Sequence, residues 1–247
     1  MKLIHTFIGA LAASFLASCA TSPTGSVDTK TDAVLTAMAT KLAAAKTLRV
    51  RTTRTASPGF TVGLKVAESA TGDIVVRRPD KLVARMQTND GARTIGFDGS
   101  NVTVIDLAAG THSTVKSQGD IDHAVLGIQD IYGVAPPIAE LLANRPRALL
   151  LDGVKSGKHA GIENISGVAC DHLVFTQDRF SWQLWVATGD KLPRRIKFTY
   201  PNGEGGQPLT MTATIAKWQL DAPVSDADLR VKAPTNSRAV DMIPIHP

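Results

Sequence analysis

Phe180-Ser181-Trp182-Gln183-Leu184-Trp185-Val186 and, past Gly189-Asp190, Ile196-Lys197-Phe198-Thr199-Tyr200 decide the fold class. Phe180, Trp182, Leu184 and Val186 form one apolar row at a spacing of two, and Ile196, Phe198 and Tyr200 form another. Side chains alternate across an extended strand, so each row is half of a sheet surface that must be covered by another layer. By the same alternation Trp185 points away from Trp182, toward a cavity rim or onto the outer face.

Working outward, the period of two persists. Leu173 and Phe175 share a face upstream, and Leu209, Met211, Ala213 and Ile215 follow the loop at 202–206. Phe60, Val62, Leu64 and Val66 alternate with Thr61, Gly63 and Lys65, and Leu82, Ala84 and Met86 alternate with Lys81, Val83, Arg85 and Gln87. Asp98-Gly99 stands between the β-like runs at 94–97 and 102–107, a strong hairpin signal. Gly91 and Ala109-Gly110 punctuate the neighbouring segments, and the spacing predicts a meander of short antiparallel strands.

Two stretches carry helical spacing instead. Over residues 31–48, Val34, Met38 and Leu42 recur with Leu35 and Ala45 beside them, and Asp32 or Thr31 can cap the start. Over residues 120–145, Ile121, Val125, Ile128 and Tyr132 make a second stripe. Pro136-Pro137 then restarts a helix over Ile138, Glu140, Leu141 and Leu142, since proline is tolerated in a first turn. These helices can supply the layer the strand rows need. The last segment, from Leu229, holds several prolines and is expected along a sheet edge.

The N-terminus has a different character. Lys2 precedes an apolar stretch, Phe7 to Phe15, that ends in Leu16-Ala17-Ser18-Cys19. This resembles a bacterial lipobox, in which the cysteine is diacylated and becomes the mature N-terminus. The apolar run is shorter than the roughly 20 residues a spanning helix needs. The expectation is a signal peptide over residues 1–18 and a lipid anchor at Cys19. Residues 20–30, rich in Ser, Thr, Pro and Gly, then form a flexible tether. Fully extended, that tether reaches roughly 35 Å. Ala20 stands where lipoproteins retained in the inner membrane often carry Asp, which implies the outer membrane, facing the periplasm.

The full chain is 43% hydrophobic, an ordinary globular composition, and the remainder, 31–247, has the length of a single domain. The formal charge of +5 comes with basic clusters at Arg49-Arg51-Arg54, Arg77-Arg78 and Lys191-Arg194-Arg195-Lys197. They suit either anionic lipid head groups or the guarded edges of solvated strands. Nucleic acid is not an expected partner in this compartment. Cys19 is taken by acylation, which leaves Cys170 without an intramolecular disulfide partner. A free cysteine in a strand is ordinarily a buried small hydrophobe.

Catalytic motifs dissolve on inspection. None of the six histidines has metal-ligand spacing such as H-E-x-x-H. Asp122-His123 and Asp171-His172 are sequence neighbours that do not face each other on a helix or strand. Ser113-Thr114-Val115-Lys116 matches S-x-x-K, but that serine should open a helix and here lies in a strand-like run. Residues 153–158 are one residue short of a phosphate-binding loop, with His159 where Ser or Thr would hold magnesium. The reading is therefore of a non-enzymatic protein that needs no cofactor and no metal.

Arg77-Arg78-Pro79-Asp80-Lys81-Leu82, with Phe97-Asp98-Gly99 after it, resembles the pattern of the LolA/LolB lipoprotein-carrier superfamily. Trp182-Gln183-Leu184-Trp185, Gly189-Asp190-Lys191-Leu192-Pro193-Arg194-Arg195-Ile196, Thr199-Tyr200 and Lys217-Trp218 resemble a proteobacterial family of predicted periplasmic proteins. Leu229 and Val231 depart from that family, standing where phenylalanines are usual. The resemblance implies an α+β fold: one curved antiparallel sheet, an unclosed barrel, wrapped over a few helices. In the carriers the space between sheet and helices accepts acyl chains. The expected function is to bind or carry a lipid, a lipoprotein or another hydrophobic ligand. The other reading is an envelope interaction or stress-sensing module with a self-filled core. Candidate ligand contacts are Val62, Leu64, Met86, Phe180, Trp182, Leu184 and Phe198, with Arg194 and Arg195 meeting an anionic head group. The protein is expected to be a monomer attached to the membrane by its acyl chains.

Overall fold

A computed structural model describes residues 26–62, 64–132, 138–201 and 206–242. The expected leader, Cys19 and residues 20–25 of the expected tether lie outside the described residues, whereas residues 26–30, expected to be flexible, are ordered: Ser26–Val27 pair with Ser156–Gly157, and the first helix starts at Thr29. The chain opens with β1 (Ser26–Val27) and α1 (Thr29–Ala44), then β2 (Thr47–Ala56) and a small hairpin of β3 (Thr61–Val62) and β4 (Leu64–Lys65). A first meander follows: β5 (Ser69–Arg77), β6 (Lys81–Thr88), β7 (Gly91–Phe97), β8 (Asn101–Asp106) and β9 (Thr111–Lys116). Three helices interrupt it, α2 (Ile121–Tyr132), α3 (Ala139–Leu142) and α4 (Pro146–Leu151). A second meander comprises β10 (Ser156–Ile165), β11 (Val168–Thr176), β12 (Ser181–Ala187), β13 (Pro193–Tyr200) and β14 (Leu209–Leu220), and β15 (Arg238–Ala239) comes last.

Among the described residues these strands form one sheet of thirteen, in the order β1-β10-β11-β12-β13-β14-β2-β5-β6-β7-β8-β9-β15. The two meanders are joined where β14 pairs antiparallel with β2, in register from Met211↔Ala56 to Leu220↔Leu48. The outermost pairs, β1 with β10 and β15 with β9, are parallel, and β1 and β15 do not pair with each other, so the sheet stays open. Laid flat, thirteen strands would span on the order of 60 Å. Yet one contiguous core joins Phe175 and Leu184 of the second meander to Phe97 and Val104 of the first through α1, α2 and α3. The twisted sheet must curl around those helices for both halves to share them.

The rows predicted on β12, β13 and β14 hold, whereas the expected run from Phe60 to Val66 is split between β3 and β4, which pair with each other outside the large sheet. Trp182, Leu184 and Val186 of β12 face the core, where Ile196 and Ala213 lie beside them on the next strands. The Asp98-Gly99 hairpin forms, with Asp98 Oδ1 accepting from the backbone N–H groups of Ser100 and Asn101. Gly99 adopts φ 88°, a left-handed backbone that favours glycine.

Helix boundaries differ from the sequence reading. Asp28, not Thr31 or Asp32, caps α1, accepting from Thr31 N at 2.7 Å. The helix stops at Ala44 because Thr47 and Leu48 pair with Arg77 and Val76 as the start of β2. Ile138, expected inside the restarted helix, has φ 65° and precedes it, while Pro136-Pro137 lie outside the described residues. α4 was not anticipated, although Pro146 in its first turn is a standard start signal.

The C-terminal segment does more than follow an edge. Before β15 pairs with β9, residues 222–231 cross the outer face of β2, β5, β6 and β7. Arg49 donates to Pro223 O and Asp228, Arg77 to Asp226, and Arg85 to Asp228 O and Arg230 O. Val75, Val83 and Ile105 point away from the helices and are nonetheless buried. In this half of the sheet both faces are covered, which explains runs such as Ile74-Val75-Val76 that break strict alternation.

Candidate functional site

The concave face of the first meander and the helices over it enclose an apolar cavity. Its floor includes Ile74, Ala84, Ile95 and Val102, and its roof includes Val125 and Ile128 of α2 with Ala139 and Leu142 of α3. Thr52 contributes the one polar side chain among the described lining residues. The space exists because its walls use small residues: Gly72, Ala84 and Ala213 on the strands, and Ala124 and Ala139 on the helices. It is narrow. About 50 Å³ is open to the centres of water-sized spheres, while all the gaps between atoms out to the open side amount to about 750 Å³. The smaller figure limits what enters without movement. It exceeds the roughly 10–15 Å³ a single water needs, but falls short of the about 300–1,000 Å³ of pockets that take drug-sized ligands.

A polar knot holds the roof. Arg78, at the end of the first meander's opening hairpin, donates to Ala45 O (3.1 Å), Leu42 O (3.2 Å), Leu142 O (2.9 Å) and Asn144 Oδ1 (3.1 Å). It thereby satisfies carbonyls left without partners at the ends of α1 and α3, where a cation also meets the favourable end of the helix dipole. Burial lowers the Arg78 pKa, and the charge of Asp122 opposes that shift. Asp122 is fully buried and accepts from Asn144 N, Arg145 N and Arg145 Nε. Glu140 of α3 has its carboxyl pushed above the usual range by desolvation, and its charge in turn raises the pKa of Tyr200, itself already raised by burial.

The sequence candidates fall into several groups. Met86 lines the cavity. Val62 and Leu64 pair with each other in the separate β3–β4 hairpin. Trp182 and Leu184 are closed into the core at 2% and 0% exposure, with Trp182 stacked on Phe175 at 4.0 Å. Phe180 meets Tyr200 at 4.9 Å and Phe198 at 6.1 Å, and Phe60 meets Tyr200 edge-on at 5.5 Å. Arg194, at the start of β13, is held by Asp190 of the preceding turn. Arg195 lies over Trp185, whose other neighbour is the stacked ring of His172. Trp185 thus packs on the outer face with Cys170 and Ile165, not on a cavity rim. The cavity residues that sequence reading passed over, Ile74, Ile95 and Val102, look like ordinary core. The one available signal was glycine and alanine recurring on the inward side of neighbouring strands.

The sequence motifs that resemble catalytic ones are taken up by structure. Asp122 binds the helix knot, while His123 bonds Asp120. Asp171 Oδ1 accepts a hydrogen bond from His159 Nε2 across β10 and β11 at 2.8 Å, and His172 contacts Glu163 and Gln183. Ser113 sits within β9. The Cys170 thiol is buried, and desolvation raises its pKa, away from the reactive thiolate. Among the described residues no group of His, Cys, Asp and Glu is placed to hold a metal. No helix among them is long and apolar enough to cross a membrane.

An uncharacterised conserved protein from Thermus thermophilus matches 85% of this chain and 98% of its own at 8% identity and TM-score 0.51. The lipoprotein LppX of Mycobacterium tuberculosis matches 78% of this chain and 98% of its own at 17% identity and TM-score 0.45. A LolA superfamily protein from Nitrosomonas europaea matches 81% and 97% at 11% identity and TM-score 0.36. No curated protein matches the chain. A family model described as "predicted periplasmic protein (DUF2092)" matches residues 31–243, and the chain belongs to that family.

Proposed function

We propose that this protein is an acylated periplasmic lipoprotein of the outer membrane that binds a lipid or another hydrophobic ligand between its curved sheet and its helices. One observation carries the reading: an apolar cavity lies between the concave sheet and α2 and α3, with walls built from small side chains. Burying an acyl chain there releases roughly 0.8 kcal/mol per CH₂, enough for several carbons to offset some widening of the roof. The lipobox ending in Cys19 supplies the membrane attachment, and two or more acyl chains make such anchoring stable.

Native mass spectrometry of the gently purified full chain, together with titration of a fluorescent fatty acid, tests the ligand. Co-purified lipid or saturable uptake is expected, and the absence of both removes the ligand-binding reading. The anchor has a separate test. Replacing Cys19 with Ser is expected to abolish acyl mass on the N-terminus and to release the protein from membranes.

A second reading has its own support in the narrowness of the cavity. An interior that stays closed suits a protein-interaction module whose core is filled by its own side chains. Crosslinking in cells that captures a stable protein partner, with no lipid in the purified protein, would favour it.

A further inference from the structure

Past Met86 the concave face changes character. Met86 forms part of the wall of the apolar cavity and also of a second, larger void of about 220 Å³, lined by Arg54, Arg93 and Asp106 among others. Arg54 lies two residues beyond Thr52 on β2, so its side chain shares the concave face with the cavity. Its cross-strand neighbours are the small residues Ala70 and Ala213. Arg54 is only 9% exposed. Its Nη2 donates to Ala67 O at 3.1 Å, but its buried Nε has no acceptor. Among the described residues no carboxylate forms an ion pair with it. Asp106 is engaged by Arg93 and by the backbone N–H of Ala109, and Asp90 stands exposed at the rim. Burial and the charge of Arg93 both lower the Arg54 pKa, so each opposes the cation that the site nevertheless places there. A buried guanidinium without a counter-ion is destabilising, and it becomes favourable when an anion supplies the missing charge and acceptor.

We propose that Arg54 forms the head-group subsite of the ligand cavity: it receives the carboxylate or phosphate of an anionic amphiphile whose hydrocarbon chain passes Met86 into the apolar space. This deepens the hydrophobic-ligand reading and rests on it. The shared chemistry is an oxyanion accepting from Arg54 Nε and Nη in a planar, two-point contact.

The test compares cis-parinaric acid with cis-parinaryl alcohol on the full chain at neutral pH, with inorganic phosphate titrated separately. The acid is expected to bind about tenfold more tightly than the alcohol, as one charge-assisted hydrogen bond allows. Arg54→Gln is expected to bring the ratio close to one, chiefly through weaker binding of the acid. The same variant is expected to melt no lower than the wild type, because it removes an uncompensated charge. Should Arg54→Gln fail to fold, Arg54→Lys, which keeps the charge and lacks the Nε donor, is expected to reduce the ratio. Equal affinity for acid and alcohol in the wild type, or a ratio that neither variant moves, overturns the subsite alone. Saturable phosphate binding that needs Arg54, without any preference for the acid, assigns the site to a free anion and overturns the amphiphile. If neither probe saturates, the hydrophobic-ligand reading fails and the subsite fails with it.

Discussion

Arg78 and Glu140 show how single side chains set the state of the helical roof. The Arg78 guanidinium donates to three helix carbonyls and one side-chain amide, so it ties α1 to α3 and both to the sheet. Arg78→Leu is expected to cost about 3 kcal/mol, because several acceptors lose a charged donor and Asp122 loses a nearby cation. Urea unfolding of the variant measures this. Glu140 acts in the opposite sense. Desolvation raises its pKa in the folded protein above the ordinary 4.5. As pH rises through 4.5 the unfolded chain releases this proton before the folded protein does, so stability falls, and it levels off once the folded group has also ionised. Glu140→Gln is therefore expected to raise the melting temperature at pH 7 and to leave it nearly unchanged at pH 4.

At the scale of elements, the C-terminal segment behaves as a strap across the first meander. Gly96 gives it room, since a Cβ there would lie 2.4 Å from Val231 Cγ2. Gly96→Ala is expected to cost roughly 1–3 kcal/mol, or to lift the strap locally, with faster amide exchange around Val231 as the readout. The strap is also fastened by Asp228, whose pKa is lowered to about 2 by hydrogen bonds from the Ser225 backbone and side chain and from Arg49. A depressed carboxylate contributes stability above its unfolded pKa and loses it as pH falls toward the folded value. The protection factors of the Ser225 and Asp228 amides, taken relative to intrinsic exchange at each pH, are expected to fall between about pH 4 and pH 2, while those of β12 stay high. The same element shows a limit of sequence reading. Proline content correctly suggested an edge position at β15. However, Leu229 and Val231, standing where the family usually carries phenylalanine, gave no sign that residues 222–231 cover a whole face.

At the scale of the molecule, two meanders of five strands each are joined through β2 into one open sheet around a shared helical core. The alternation on β12, β13 and β14 was readable because one face of those strands meets helices and the other is mostly partly exposed. Over β5 and β6 the strap buries the second face, so Val75 and Val83 blurred the pattern. The cavity was harder to read. Sequence candidates concentrated on the aromatic rows of the second meander, where Trp182 and Leu184 turn out to be filled core. Large side chains fill space. The cavity lies instead where Gly72, Ala84 and Ala213 leave a gap beneath α2.

The strand and helix periods, the Asp98-Gly99 hairpin, the family membership and the resemblance of Leu16-Ala17-Ser18-Cys19 to a lipobox are local or linear properties, because each depends on spacing along the chain. Which rows face which helix, how Gly72, Ala84 and Ala213 coincide across three strands, and how Arg54 comes to be buried beside Arg93 with no carboxylate of its own among the described residues depend on β14 pairing with β2 and on the curl of the sheet. Those relations join residues well separated along the chain, Gly72 and Ala213 among them. No spacing rule encodes them, and packing alone decides them.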